Sequence, residues 1–201
     1  WSWNMPSGYA LLKKNSILFD FITDKLGFRD FKDVKYYLDE IELSCEKIVE
    51  DGNTVFYKTL IMNQRGNREL LEKYDTNIMY YIQKLSAREN FKLKYFQYLA
   101  LLYTEYYLDN YSNYKERFII ELNEYSEQRQ NSQDDNKRYN LDFKYGLEDL
   151  NKLAFWMATG SGKTLIMHIN YYQVLKYLKD YNSILLVTPS EKMSNQHYKE
   201  M

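Results

Sequence analysis

The sequence has little of what metal- and disulfide-based chemistry needs. One cysteine in 201 residues excludes a disulfide framework and any cage of cysteine ligands around zinc. The two histidines, His168 and His197, lie in distant segments, which argues against a histidine-rich metal site. Two prolines and seven glycines exclude collagen-like and low-complexity classes. No run of apolar residues reaches the ~18 needed to span a bilayer, so no transmembrane helix is expected. The first residues show no basic stretch followed by an apolar one, so no signal peptide is expected and the default compartment is a reduced, cytoplasmic one. Charge of neither sign dominates, since 27 basic residues face 28 acidic ones. Its distribution is uneven. Residues 1–150 carry 21 basic against 25 acidic groups, and residues 151–201 carry 6 against 3, which suits polyphosphate or nucleic acid near the C-terminal end.

What remains is the composition of a folded protein. The length suits one domain, or one domain with a helical appendage. Tyrosine is abundant, at 22 residues. AT-rich coding and use in helix cores account for this, as does an aromatic platform for nucleic acid; the helical spacing of many of these tyrosines favours the first account. The opening Trp1, and a helix-like pattern still running at Met201, lead us to expect a piece of a longer protein.

Residues 1–127 read as mainly helical. Phe31, Val34, Leu38, Ile41, Cys45 and Ile48 recur at alternating spacings of three and four, which sets them on one helix face and makes Cys45 a core residue. Asp30 is placed to cap that helix, Asp33 to reach back to it, and Asp51-Gly52-Asn53 to end it. Further helices are predicted from Asp75 (Ile78, Ile82 and Leu85 inward), over Phe91–Asp109 (Tyr95, Leu99, Leu102 and Tyr106 on one stripe) and over Asn113–Gln128. Residues 128–150 open with a wholly polar stretch and read as a linker or insertion. The pattern then changes. Leu153–Met157 is an apolar run the size of a buried parallel strand, Thr164–Leu178 an apolar-rich helix, and Ser183–Thr188 a second strand closed by Pro189. Strand, helix and strand predict one right-handed βαβ unit. The predicted fold class is α/β: a helical region over 1–127, then the start of a doubly wound domain over 151–201.

The informative segment is Ala158-Thr159-Gly160-Ser161-Gly162-Lys163-Thr164. Gly160 and Gly162 permit positive φ and a close backbone approach to phosphates. The loop amides then point inward as an anion nest, and the following helix offers its N-terminus to the same charge. Lys163 supplies an ammonium for the β- and γ-phosphates, and Thr164 a hydroxyl for Mg²⁺. Lys163 and Thr164 are therefore the candidate catalytic residues, Thr164 the candidate metal ligand, and residues 158–164 the candidate nucleotide cradle. Gly-x-Gly-Lys-Ser/Thr arises by chance in a chain of this length on the order of 1% of the time, so the segment outweighs the other signals.

The general phosphate-loop pattern has Gly six residues before the Lys, where this chain has Met157. With that departure, Met157–Thr164 resembles motif I of superfamily-2 DEAD/DEAH-type helicases, and especially the motor (Res or R) subunits of type III and type I restriction enzymes. Ile184-Leu185-Leu186-Val187-Thr188-Pro189-Ser190, followed by Gln196-His197, is similar to motif Ia of that family. The resemblance implies that Thr188, Pro189 and Ser190 contact a sugar–phosphate backbone, which positions nucleic acid without reading its sequence. Leu93–Ala100 is similar to the segment upstream of motif I whose Gln pairs with the adenine edge, so the resemblance makes Gln97 a cofactor-binding candidate. A surface glutamine on a Tyr-rich helix stands as the alternative, because 66 positions separate Gln97 from Lys163. The resemblance further implies a RecA-like ATPase domain, incomplete here, that binds ATP and Mg²⁺. It implies the N-terminal part of a helicase or translocase tracking double-stranded DNA, with a methyltransferase or specificity subunit as partner.

Hydrolysis also needs an acidic pair and arginines. The Asp-Glu pair Asp39-Glu40 falls in a predicted helix well upstream, so the working acidic motif is expected beyond Met201. No Pro-Asp…Asp/Glu-x-Lys nuclease signature, Gly-x-Ser-x-Gly elbow or His–Glu zinc motif occurs. Two other readings stay open: a different phosphate-loop NTPase, such as a nucleotide kinase or AAA-type ATPase, and a non-hydrolysing nucleotide-binding or protein-docking module.

Overall fold

Apolar residues at helical spacing build the N-terminal part of the molecule. The computed structural model describes residues 16–44, 49–85, 93–132, 144–180 and 182–200. Helix α1 (Ile17–Lys25) buries Ile17, Phe21 and Ile22. Helix α2 (Phe31–Ser44) starts where the Asp30 carboxylate accepts a hydrogen bond from the Asp33 amide at 2.8 Å, as expected of a cap. The Asp33 carboxylate, expected to reach back toward Asp30, instead pairs with Arg65 at 2.9 Å. Val34 and Leu38 are buried and Phe31 and Ile41 half-buried; Cys45 and Ile48 lie outside the described residues.

A tight turn at Asp51–Gly52 joins β1 (Val49–Glu50) to β2 (Asn53–Thr54) as a small antiparallel pair. Thr54 then caps α3 (Val55–Met62): its hydroxyl accepts from the Tyr57 amide at 3.1 Å and donates to Asp75 at 2.5 Å. The Thr54 amide donates to the other Asp75 oxygen at 3.0 Å. Burial pushes the Asp75 carboxyl above the ordinary aspartate range despite these donors. Thr54→Ala removes the cap and the hydroxyl link to Asp75 at once. It is expected to cost about 2 kcal/mol, read as a lower urea midpoint at unchanged slope.

Asp75 therefore sits inside α4 (Arg68–Leu85) rather than at its start, the helix beginning seven residues earlier than predicted. Asn67 accounts for the difference, its side-chain oxygen accepting from the Leu70 amide at 3.2 Å and capping a run of good helix formers. Helix α5 (Tyr95–Asn113) and helix α6 (Lys115–Gln130) follow, then a 3₁₀ turn at Asp149–Asn151, α7 (Lys163–Tyr177) and α8 (Glu191–Glu200). The long axis of the fold is α5, which packs against α2, α4, α6 and α7. One apolar core joins Phe21, Phe56, Phe118 and Leu102 to Ile166 and Ile169 of α7.

The tyrosines are mostly core material. Tyr74, Tyr81 and Tyr98 are fully buried, and rings meet edge-on, as in Tyr107–Phe118 (76°, 5.7 Å). Two of the buried phenols donate hydrogen bonds: Tyr74 to Asp109 at 2.9 Å and Tyr107 to the Leu150 carbonyl. Burial raises the Tyr107 phenol to about 12 and the Tyr74 phenol further.

The expected βαβ unit is helix only. Its helix forms within a residue of the predicted bounds, but 153–157 and 183–188 join no strand ladder. Parallel strands are stable when a neighbouring strand supplies hydrogen bonds and both faces are covered. Here Trp156 is 77% and Leu185 86% exposed, and no strand lies beside either segment among the described residues. The sheet character of α/β is thus confined to β1 and β2, and the described chain is predominantly helical.

Candidate functional site

The phosphate-loop segment forms a turn closed by the Ser161 amide on the Ala158 carbonyl at 3.2 Å. Gly160 and Gly162 have φ of +74° and +83°, as the close-approach argument requires. Gly162 is the N-cap of α7, and its carbonyl accepts the first helical bond from Ile166 at 3.2 Å. The amides of the first turn have no partner within the helix by construction, and they point toward the loop. Lys163 is exposed and folds its ammonium over the loop, donating to the carbonyls of Met157 at 3.2 Å and Ala158 at 2.9 Å. Thr164 follows it, half-buried. The Ser161 hydroxyl is buried with no hydrogen-bond partner among the described residues.

Gln97 lies on this loop in spite of its distance in sequence. It is 6% exposed; its amide nitrogen donates to the Ser161 carbonyl at 2.9 Å, and its amide oxygen accepts from the Lys94 backbone at 2.9 Å. The packing of α5 on α7 brings it there, and a surface role is excluded. One amide hydrogen and one oxygen lone pair are left over for another partner. A Cβ on Gly162 would stand 2.4 Å from the Gln97 nitrogen, whereas one on Gly160 would meet nothing within 4 Å. Gly160→Ala is therefore expected to cost only the ~1–2 kcal/mol of a left-handed backbone. Gly162→Ala should cost more, and part of the excess should vanish in the Gln97→Ala background, as thermal unfolding of the double-mutant cycle would read.

Beside the loop lies a cavity of about 560 Å³ between α1, α5 and residues 153–158. Phe19, Tyr95, Phe96 and Tyr103 line one side, Phe155 and Trp156 another, and Ala158 and Ser161 its junction with the loop. The loop thus has open space over Gly160, an ammonium folded across it and a cavity at its side. Among the described residues no cluster of three His, Cys, Asp or Glu could hold a metal ion by itself.

At the other end of α7 the fit to α5 is polar. Glu105, fully buried, accepts from Asn77 at 2.5 Å, Gln173 at 2.8 Å and Tyr177 at 2.8 Å. Gln173 also donates to the Leu101 carbonyl at 3.0 Å, and Ser112 to the Tyr177 carbonyl at 2.6 Å. Nothing in the sequence separates Glu105 from the chain's other acidic residues; only the packing identifies it.

Thr188, Pro189 and Ser190 form the approach to α8. The Thr188 hydroxyl donates to the Ser190 carbonyl at 3.0 Å and shares a hydrogen bond of 2.6 Å with the Ser194 hydroxyl. Ser190 caps the helix by accepting from the Met193 amide at 3.4 Å. Pro189 and Ser190 are exposed and Thr188 is half-exposed. His168 and His197, distant in sequence, meet at 3.1 Å.

A glycine-rich loop opening a long helix, with lysine and threonine at its first two positions, has the architecture of the phosphate-binding class of loops. Residues 113–201 match the family model of the type III restriction enzyme res subunit, so over that stretch the chain is similar to a helicase-like, Res-type domain of restriction enzymes. No curated protein and no solved structure matches the chain. No helix among the described residues is long and apolar enough to cross a membrane.

Proposed function

We propose that this chain carries the nucleotide-binding front of an ATP-dependent DNA helicase or translocase, the motor of a restriction or defence system working in the cytoplasm. The observation that carries this reading is the loop itself: Gly160 and Gly162 at positive φ, leading into α7 with Lys163 across the mouth, inside the stretch that matches the Res family. On this reading 1–127 is the helical region, 128–150 an insertion and 151–201 the start of a RecA-like domain. The loop amides and Lys163 hold the phosphates of ATP, and Thr164 gives its hydroxyl to Mg²⁺. Bound ATP supplies the free energy for movement along DNA. Gln97, bonded to the loop at the Ser161 carbonyl, offers its remaining amide hydrogen and lone pair to the adenine edge, and the aromatic cavity beside the loop offers its rings to the base. Thr188, Pro189 and Ser190 meet the backbone of double-stranded DNA, and a methyltransferase or specificity subunit is the expected partner.

Phosphate release from ATP by the intact protein, with and without linear duplex DNA, tests the reading. Stimulation by DNA is expected. Transfer of phosphate to a nucleotide, indifferent to DNA, would point to a nucleotide kinase instead.

A further inference from the structure

A buried contact joins the helix after the loop assigned to phosphate to the helix after the turn assigned to DNA. Among residues 191–199 of α8, only His197 is buried, at 5% exposure. Its Nδ1 meets Nε2 of His168, itself 1% exposed, at 3.1 Å, with the rings at 90°. One imidazole donates and the other accepts. His168 lies five residues beyond Lys163 on α7, so a shift at the phosphate end of that helix moves its imidazole. The far end of α7 is fixed, because Gln173 and Tyr177 are bonded to buried Glu105. On the other side, α8 is continuous with the DNA-facing turn through the Thr188–Ser194 and Ser190–Met193 bonds. Thr188, Ser190, Ser194, His197 and His168 therefore form a connected path from the exposed turn to the phosphate-loop helix.

We propose that the His168–His197 hydrogen bond is the joint that couples nucleotide occupancy to the grip on DNA, with both histidines acting as positioning residues. The proposal rests on the functional reading above. Coupling is reciprocal: if nucleotide alters DNA affinity through this joint, DNA alters nucleotide affinity by the same factor.

The test measures affinity of the intact protein for a duplex oligonucleotide, with and without a non-hydrolysable ATP analogue and Mg²⁺. The wild-type ratio of the two affinities is expected to differ from one by about fivefold or more. His197→Leu should bring the ratio to one while leaving analogue affinity in the absence of DNA unchanged. His197→Asn, whose amide can stand where Nδ1 does, should restore it. His197→Gln places its amide where Nε2 stood and should behave as the leucine variant, and it serves where the leucine variant does not fold. An unchanged ratio in His197→Leu or His197→Gln overturns the joint, even if DNA affinity falls equally in both states, because that describes a helix anchor and no more. A wild-type protein that binds neither analogue nor DNA overturns the functional reading and the joint with it, and binding of the analogue alone distinguishes the two failures.

Discussion

Lys163→Ala in the intact protein is expected to lower ATP turnover by about 10²-fold or more, the scale for loss of one charged or oriented donor at a reacting centre. The argument is local. The other donors of the cradle are backbone amides, which the substitution leaves in place. The ammonium is the only side-chain cation on the loop from 158 to 164, and it already reaches back over the carbonyls of Met157 and Ala158. An exposed lysine bonded to loop carbonyls contributes little to folding, so stability should stay within about 0.5 kcal/mol of wild type. Lys163→Arg should not rescue turnover, because a planar fork cannot replace a compact ammonium in a tight loop. The check is steady-state phosphate release beside a denaturation curve. Turnover preserved in the alanine variant would remove the loop from the chemistry.

The largest effect on stability is expected at Glu105. Its two oxygens are the acceptors for Asn77, Gln173 and Tyr177 in a site closed to water. Glu105→Ala removes the acceptor shared by three buried donors and leaves a space where the carboxylate stood, at a cost of about 3–5 kcal/mol. For a chain of this size that corresponds to a fall in melting temperature of roughly 10 °C. Glu105→Gln keeps one acceptor but faces donors with its own amide hydrogens, so a smaller loss is expected. Because the network locks α7 onto α5, Glu105→Ala should also weaken the Gln97–Ser161 contact and with it nucleotide affinity. Calorimetric unfolding of the two variants reads the first effect, and nucleotide titration the second.

Periodicity made the helices legible. Val34 and Leu38, Ile78 and Ile82, and Leu99 and Leu102 all face inward where the three-four spacing puts them. The turn before α7 was legible in its backbone, because glycine at 160 and 162 states the positive φ found there. Three features were not legible. Asp75 read as a helix start because a short polar residue before an apolar stripe has the composition of a cap; its burial depends on Thr54, 21 positions away. The strands at 153–157 and 183–188 read from apolarity alone, and apolarity does not supply a ladder partner. The meeting of His168 with His197, like that of Gln97 with Ser161, is produced by helix packing, which local pattern does not encode. Gln97 could be named only from a resemblance in its flanking residues, and its place on the loop comes from the fit of α5 to α7.

Hydrogen exchange at the backbone amides of 158–166, with and without ATP and Mg²⁺, tests the central claim most directly. Those amides are what the loop offers to phosphate, and their protection needs no turnover, DNA or partner subunit. Slowed exchange over 158–166, lost in Lys163→Ala, is the result expected. Exchange unchanged over that segment at saturating nucleotide would contradict a phosphate-binding loop.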